Sequence, residues 1–149
     1  MSSKEKLKMI EILLVEDNPA DIRLTKEAIR ESKIANNLNI VKDGVEAIDF
    51  LKNKGKYSNA TRPDLILLDL NLPKINGFEV LNKIKQDRDL KRIPVVILTI
   101  SDNHEDLLRA YDLYANCYVN KPMDITEFYK IVKSIGNFWF SIVKLPENE

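Results

Sequence analysis

The stretch that decides the fold is IEILLVEDN, residues 10–18, in which an apolar run ends at two acids. A second apolar run, LILL over residues 65–68, also ends at an acid, Asp69. Apolar residues at consecutive rather than alternating positions are typical of parallel strands that are covered on both faces. If both runs are parallel strands, the carboxylates of Glu16, Asp17 and Asp69 meet at one end of a sheet. Their mutual repulsion there favours the binding of a hard divalent cation.

Short apolar runs alternate along the chain with segments that carry helical signals. Three more runs cover residues 38–41, 95–98 and 117–119. Asn18-Pro19 is typical of a helix start, because asparagine caps the first turn and proline suits the first helical position. Helices are also predicted over residues 45–51, 78–84 and 104–113. Five alternations predict an α/β fold, a single (βα)5 doubly wound parallel sheet that binds ligands beyond the carboxyl ends of its strands.

The last predicted helix is unusually long for a small sheet. It begins after Asp124, which forms a capping-box pattern with Glu127, and its apolar stripe continues to Val143. Such a helix is about 30 Å long at 1.5 Å per residue, so we expect its end to overhang the sheet. We expect a homodimer contact at this end, through an apolar cluster formed by Phe138, Trp139, Phe140, Ile142 and Val143. The alternative is that the tail folds back on its own domain.

Length, charge and hydropathy limit the classes of function. The 149 residues fit one domain, with a core over about residues 8–136 and a C-terminal extension over 137–149. Basic and acidic residues number 23 each, which gives no support for nucleic-acid binding. No apolar stretch approaches the roughly 18 residues that span a bilayer, so the chain is predicted to be cytoplasmic. The segment after Lys121 is too short for an output domain, so a stand-alone module is expected.

Two further polar residues follow the fourth and fifth apolar runs. Thr99 comes directly after residues 95–98, and Lys121 lies just beyond residues 117–119. Both are expected at the same sheet edge as the acids, where they add a hydroxyl group and a fixed positive charge. Together with a carboxylate and a divalent cation, these groups are suited to handling a phosphoryl group.

These residues belong to five motifs that occur in order along nearly the whole chain. The motifs are LVEDN at 14–18, LLDLNLP at 67–73, NG at 76–77, LT at 98–99 and KP at 121–122. In this order and spacing the chain resembles the receiver domain of two-component response regulators. The resemblance implies a flavodoxin-like sheet with strand order 2-1-3-4-5. It also implies a signalling phosphoacceptor, which catalyses only its own phosphorylation and dephosphorylation.

The resemblance assigns roles to individual residues. Asp69 would accept a phosphoryl group from the phosphohistidine of a sensor histidine kinase. Mg²⁺ would be held by Asp17 and Asp69 directly, by the backbone carbonyl of Asn71, and by Glu16 through water. The physical chemistry agrees, because Mg²⁺ prefers oxygen ligands and can offset charge on phosphoryl oxygens. Lys121 would supply a point charge and Thr99 a hydroxyl donor to the phosphoryl group.

The resemblance also implies a switch. Tyr118 would swing inward as the Thr99 hydroxyl moves toward the phosphoryl group, although a purely structural core tyrosine is the alternative. The family suggests a cis bond before Pro122, whereas trans is the default for any such bond. Ile100 stands where the family has a small residue, which predicts slowed hydrolysis of the phosphorylated form. Residues 116–118 and 138–140 resemble receivers that serve phytochrome-type sensor kinases.

Three other classes of function are alternatives. A Mg²⁺-dependent phosphatase with an aspartyl-phosphate intermediate usually has a second acid two residues after its nucleophile, where this chain has Asn71. A flavin or nucleotide binder needs a glycine-rich loop after the first strand, but residues 16–19 are acidic and lack glycine. A degenerate receiver that acts as a phosphate-independent binding module is disfavoured, because all five motifs are filled.

Overall fold

Five parallel strands form one sheet in the computed structural model, which describes residues 9–31, 35–142 and 146. The strand order is 2-1-3-4-5, so the predicted doubly wound topology is confirmed. Strands β1, β3 and β4 coincide with their predicted apolar runs to within one residue, and β2 begins two residues earlier than expected. The strands are β1 Ile10–Val15, β2 Asn36–Val41, β3 Leu65–Leu68, β4 Val95–Thr99 and β5 Cys117–Asn120.

A helix follows each strand, and a polar side chain caps the start of each helix. The helices are α1 Pro19–Arg30, α2 Gly44–Leu51, α3 Gly77–Gln86, α4 His104–Asp112 and α5 Ile125–Asn137. The predicted caps are confirmed: Asn18 accepts from the N–H groups of Ala20 and Asp21, and Asp124 accepts from that of Glu127. In the described part of the chain no helix is long and apolar enough to cross a bilayer.

The sheet is covered on both faces, which explains the unbroken apolar runs. One face packs against α2, α3 and α4, and the other packs against α1 and α5. Successive residues of a strand point to opposite faces, so Leu67 faces α1 and α5 while Leu68 faces the other layer. Every residue of β3 and β4 is buried, and burying their apolar surface stabilises the sheet.

The C-terminal helix differs from the prediction. The α-helical part ends at Asn137 and continues as a π-helical turn, Phe138–Ile142, rather than as an α-helix to Val143. The side chains of residues 141 and 142, and all of Val143, lie outside the described residues. The π-helical turn closes each hydrogen bond over one more residue than the α-helix does.

The expectation that the aromatic cluster overhangs the sheet is wrong for two of its members. Trp139 and Phe140 pack against the core between the sheet, α1 and α5. Gly136 makes room for this packing, because a Cβ atom there would lie 3.3 Å from the ring of Phe140. Removing these rings from water favours the folded-back position. Phe138 is 49% exposed and is the described member of the cluster that points to solvent.

Candidate functional site

The sheet register brings the predicted acids to one edge. Val15 of β1 pairs with Leu68 of β3. The residues that follow them, Glu16 and Asp69, therefore lie side by side at the carboxyl ends of the two strands. Glu16 and Asp69 are buried there, whereas Asp17 is exposed. The prediction that these three residues lie together is confirmed, because one carboxylate oxygen of each lies within 4.8 Å of the others.

Lys121 lies at the centre of the site. Its buried ammonium group donates to Glu16 Oε1, to Asp21 Oδ2 at 2.9 Å and to Asp69 Oδ2 at 3.2 Å. An ammonium group has three N–H donors, and each of them has a carboxylate acceptor here. Glu16, Asp21 and Asp69 come from three different segments, so Lys121 joins the ends of β1, α1 and β3.

Backbone N–H groups fix the remaining carboxylate oxygens. Glu16 Oε2 accepts from the N–H of Asp17 at 3.1 Å and from that of Asn18 at 3.2 Å. Asp69 Oδ1 accepts from the N–H of Asn71 at 3.2 Å. These bonds hold both buried carboxylates in defined orientations, with one oxygen of each directed at Lys121.

A close helix contact holds the backbone that carries Asp69. The first residue of α3 is Gly77, whose N–H donates to the carbonyl of Leu70 at 2.9 Å. A Cβ atom at this position would lie 2.4 Å from the carbonyl oxygen of Asp69, far inside van der Waals contact. Glycine is therefore required for α3 to approach the loop that follows β3.

Burial and close contacts between charged groups shift two pKa values in this cluster. Burial, together with the charge of Asp69, raises the pKa of Glu16 to about 7. Burial by itself lowers the pKa of Lys121, but the hydrogen bond to Glu16 and the charge of Asp69 outweigh it and raise that pKa. Lys121 therefore stays charged at neutral pH, while the three clustered carboxylates are in excess over it.

The donor set at this edge fits a hard divalent metal ion. Carboxylate oxygens are the ligands that Mg²⁺, Mn²⁺ and Ca²⁺ prefer, and among the described residues no histidine or cysteine belongs to the cluster. A divalent cation would also offset the excess negative charge. Asn71, whose carbonyl was predicted as a further ligand, lies two residues after Asp69 and contacts its carboxylate through the backbone N–H.

Thr99 and Tyr118 lie on the neighbouring strands β4 and β5, and both contact the loop that follows β4. The N–H of Lys121 donates to the carbonyl of Thr99 at 2.7 Å. The Thr99 side chain is fully buried, and its hydroxyl oxygen accepts from the N–H of Ser101 at 3.3 Å. The Tyr118 hydroxyl donates to the carbonyl of Ser101 at 3.0 Å, so Thr99 and Tyr118 contact the same loop residue.

Ser101 connects this loop to two further elements. Its carbonyl also accepts from the side-chain amide of Asn120, and its hydroxyl donates to Asp106 Oδ2 at 2.6 Å. The loop between β4 and α4 is thus joined to the end of β5 and to the first turn of α4. Ile100, the neighbour of Ser101, is 66% exposed. The Lys121–Pro122 peptide bond is trans.

Sequence reasoning missed three residues of this arrangement: Asp21, Ser101 and Asn120. A signal for Asp21 was present, because α1 begins at the carboxyl end of β1 and an acid in its first turn can reach the sheet edge. Ser101 accepts hydrogen bonds through its backbone carbonyl, and every residue has such a carbonyl. The residue type at position 101 therefore does not predict these contacts. Asn120 ends β5 opposite Thr99, and this pairing depends on the register of two strands.

Known proteins are similar to this chain in sequence and in fold over most of their length. Residues 12–133 match the family model of the response regulator receiver domain. Response regulator Rcp1 of Synechocystis sp. is 51% identical over 135 residues, which cover 91% of this chain and 92% of that protein. The crystal structure of the phosphorylated cyanobacterial phytochrome response regulator RcpA has a TM-score of 0.92 at 51% identity, covering 94% of this chain and 100% of that one.

A second solved structure is relevant to the metal site. The crystal structure of the Mn²⁺-bound form of response regulator Rcp1 has a TM-score of 0.91 at 50% identity, and it covers 93% of this chain and 99% of that one. The segment that matches the family model runs from β1 into α5, so it includes the whole site from Glu16 to Lys121. The chain belongs to the response regulator receiver domain family of two-component systems.

Proposed function

We propose that this chain accepts a phosphoryl group from a sensor histidine kinase onto Asp69, in a reaction that depends on Mg²⁺. The observation that carries the proposal is the bridge from Lys121 to Asp69 and Glu16, beside the cluster of Glu16, Asp17 and Asp69. The relatives in this family are signalling proteins rather than enzymes with a separate substrate.

In this proposal Asp69 is the nucleophile. One carboxylate oxygen of Asp69 attacks phosphorus and forms an acyl phosphate P–O bond, while the P–N bond of the donor phosphohistidine breaks. The electron pair of that bond stays on the imidazole nitrogen. Burial of Asp69 and its bond from the Asn71 N–H fix the orientation of the attacking group before the donor arrives.

Charge stabilisation is the main task of the remaining residues, because phosphoryl transfer spreads negative charge over the equatorial oxygens. Lys121 offsets part of this charge from its contact with Asp69, and the Thr99 hydroxyl turns to donate to the new phosphoryl group. Bound Mg²⁺ would be held by Asp17, Asp69 and the carbonyl of Asn71 directly and by Glu16 through water, and it would offset negative charge on the phosphoryl oxygens. The Mn²⁺-bound form of Rcp1 supports a divalent metal in this family.

The output is proposed to pass through the loop after β4. When Thr99 turns toward the phosphoryl group, its hydroxyl leaves the N–H of Ser101, and the loop carrying the Tyr118 and Asn120 contacts can move. Tyr118 then swings inward and changes the surface formed by α4, β5 and α5. That change alters the affinity for a partner or for a second copy of the chain.

The proposed partner is a phytochrome-type histidine kinase in the cytoplasm. Support comes from similarity to the cyanobacterial phytochrome response regulator RcpA and to Rcp1. Homodimerisation is proposed through the exposed ring of Phe138, since Trp139 and Phe140 contact the chain's own core.

Incubation with acetyl phosphate, followed by intact-mass measurement, tests the proposed function. We expect the wild type to gain one phosphoryl group with Mg²⁺ and none with a chelator. Asp69→Asn should gain none, and Asp112→Asn, which changes an exposed acid of α4, should behave as the wild type does. Equal labelling of Asp69→Asn and the wild type would exclude Asp69 as the acceptor.

A further inference from the structure

Asp21 is a third carboxylate on Lys121, and the proposed phosphoryl transfer does not use it. Its side chain lies in the first turn of α1, and its Oδ2 accepts from Lys121 Nζ at 2.9 Å. The backbone of Asp21 is fixed on both sides: its N–H donates to Asn18 Oδ1 at 3.1 Å, and its carbonyl accepts from the Thr25 hydroxyl at 2.7 Å. The contact with Lys121 is therefore made from a rigid helix start.

Three carboxylates take up all the donors of Lys121 Nζ. Nζ lies nearer to Asp21, at 2.9 Å, than to Asp69, at 3.2 Å. Its third donor is used by Glu16, so no N–H is free for a new acceptor. A phosphoryl group on Asp69 can therefore receive a full hydrogen bond from Lys121 only if the ammonium group gives up or lengthens an existing contact.

Burial identifies the contact that is easiest to give up. The Asp21 side chain is 22% exposed, against 3% for Glu16 and 8% for Asp69. A carboxylate that can reach water regains hydrogen bonds when it loses its partner, whereas a buried one is left unsatisfied at a much larger cost. Of the three contacts of Lys121, the one with Asp21 therefore costs least to break.

We propose that Asp21 is a positioning residue that competes with Asp69 for Lys121 and so limits the charge available to the incoming phosphoryl group. Asp21 holds Lys121 toward α1 in the unphosphorylated protein and releases it as the phosphoryl group arrives. The inference rests on the proposed function, since it concerns the same transfer to Asp69. It predicts that removing the Asp21 charge makes the transfer faster, which is opposite to the effect of losing a supporting contact.

The rate of phosphorylation by acetyl phosphate at saturating Mg²⁺ tests this inference. We expect Asp21→Asn to raise the rate at saturating donor about three- to tenfold, which is the range for a partly exposed charged hydrogen bond. The donor concentration at half-maximal rate should not change, because the effect acts on the transfer through Lys121. Asp21→Glu keeps the charge, and its rate should return toward the wild-type value.

Glu79→Gln is the matched control, because Glu79 is an exposed acid in the first turn of α3 and lies at the corresponding place in that helix. It removes the same charge from the protein and should leave the rate unchanged. An equal rise in both variants would overturn the inference, because it would indicate general repulsion of the anionic donor. A rate for Asp21→Asn at or below that of the wild type would also overturn it.

A double-mutant cycle with Lys121→Gln tests whether Asp21 acts through Lys121. In that background Asp21→Asn should have no effect on the rate, and a persisting rise would contradict the competition. A different result would contradict the proposed function itself. If the wild type takes up no phosphoryl group, Asp69 is not an acceptor. If the wild type is labelled and Asp21→Asn matches its rate, only the role of Asp21 is wrong.

Discussion

At the residue scale, the site depends on how many carboxylates share one ammonium group. Glu16, Asp21 and Asp69 all contact Lys121, and Asp17 adds a further carboxylate beside them. The sequence predicted that Glu16, Asp17, Asp69 and Lys121 meet, because each follows a strand of a parallel sheet. It did not predict the contact of Asp21, which depends on how α1 is rotated against the sheet.

The raised pKa of Glu16 makes stability depend on pH when no metal is bound. Its pKa is about 7 in the folded chain, against an ordinary value of 4.5, so the folded state holds an extra proton between these two pH values. The unfolded state binds fewer protons there, and the free energy of unfolding therefore falls as pH rises. We expect a fall on the order of 2–3 kcal/mol from this group between pH 4.5 and pH 7.

Urea unfolding in the presence of a chelator, at a series of pH values, measures this effect. The fall in the free energy of unfolding between pH 4.5 and pH 7 should be smaller in Glu16→Gln by the contribution of this group. Glu79→Gln, which changes an exposed side chain, should show the same fall as the wild type. Saturating Mg²⁺ should abolish the contribution of Glu16 to this fall in the wild type, because the cation favours the ionised form of the Glu16 carboxylate. Parallel pH profiles for the wild type and Glu16→Gln without metal would show that Glu16 titrates normally.

At the element scale, the loop between β4 and α4 couples the site to the surface. Ser101 accepts from Tyr118 and Asn120, donates to Asp106, and gives its N–H to Thr99. The strands and helix caps that frame this loop were predictable from apolar runs and from Asn18 and Asp124. The contacts of Ser101 were not, because they involve a backbone carbonyl and tertiary register.

Replacement of Thr99 tests the coupling through this loop. Phosphorylation should shift the amide resonance of Ser101 in the wild type, because its N–H loses the Thr99 hydroxyl as acceptor. Thr99→Val keeps the shape of the side chain without the hydroxyl, and we expect it to lose most of this shift and of the accompanying change at Tyr118. Two-dimensional ¹H–¹⁵N NMR of the free and phosphorylated protein provides the measurement.

Thr99→Ser is the control, since it retains a hydroxyl group that can donate to the phosphoryl group and accept from Ser101. Its phosphorylation-dependent shifts should resemble those of the wild type. Shifts of equal size in Thr99→Val and Thr99→Ser would contradict coupling through the hydroxyl.

At the scale of the whole molecule, the alternation of strands and helices was enough to predict the doubly wound sheet, and the family resemblance supplied its strand order. The end of α5 was harder to predict. The same spacing of apolar residues suits an α-helix that overhangs the sheet and a π-helical turn that packs on it. In the folded chain Phe140 packs so close to Gly136 that a Cβ atom there would lie 3.3 Å from its ring, and the apolar spacing alone does not predict this contact.

Two substitutions in the tail separate folding from association. Trp139→Glu places a charge against the core and should lower the free energy of unfolding by about 3 kcal/mol or more. Phe138→Glu changes an exposed ring and should leave that free energy nearly unchanged. If the chain dimerises through this end, sedimentation should show a dimer for the wild type and a monomer for Phe138→Glu. A dimer that survives in Phe138→Glu would place the interface elsewhere.

The position of the phosphoryl group tests the central claim most directly. Borohydride reduces an acyl phosphate to an alcohol, so a phosphorylated aspartate becomes homoserine and can be located by peptide mass spectrometry. After reaction with a phosphoryl donor and Mg²⁺, we predict homoserine at position 69 and at no other acid, with none formed when the metal is chelated. Homoserine at Asp17 or Asp21, or the longer alcohol hydroxynorvaline at Glu16, instead of homoserine at position 69 would contradict the account. Formation of homoserine without any divalent metal would contradict it as well.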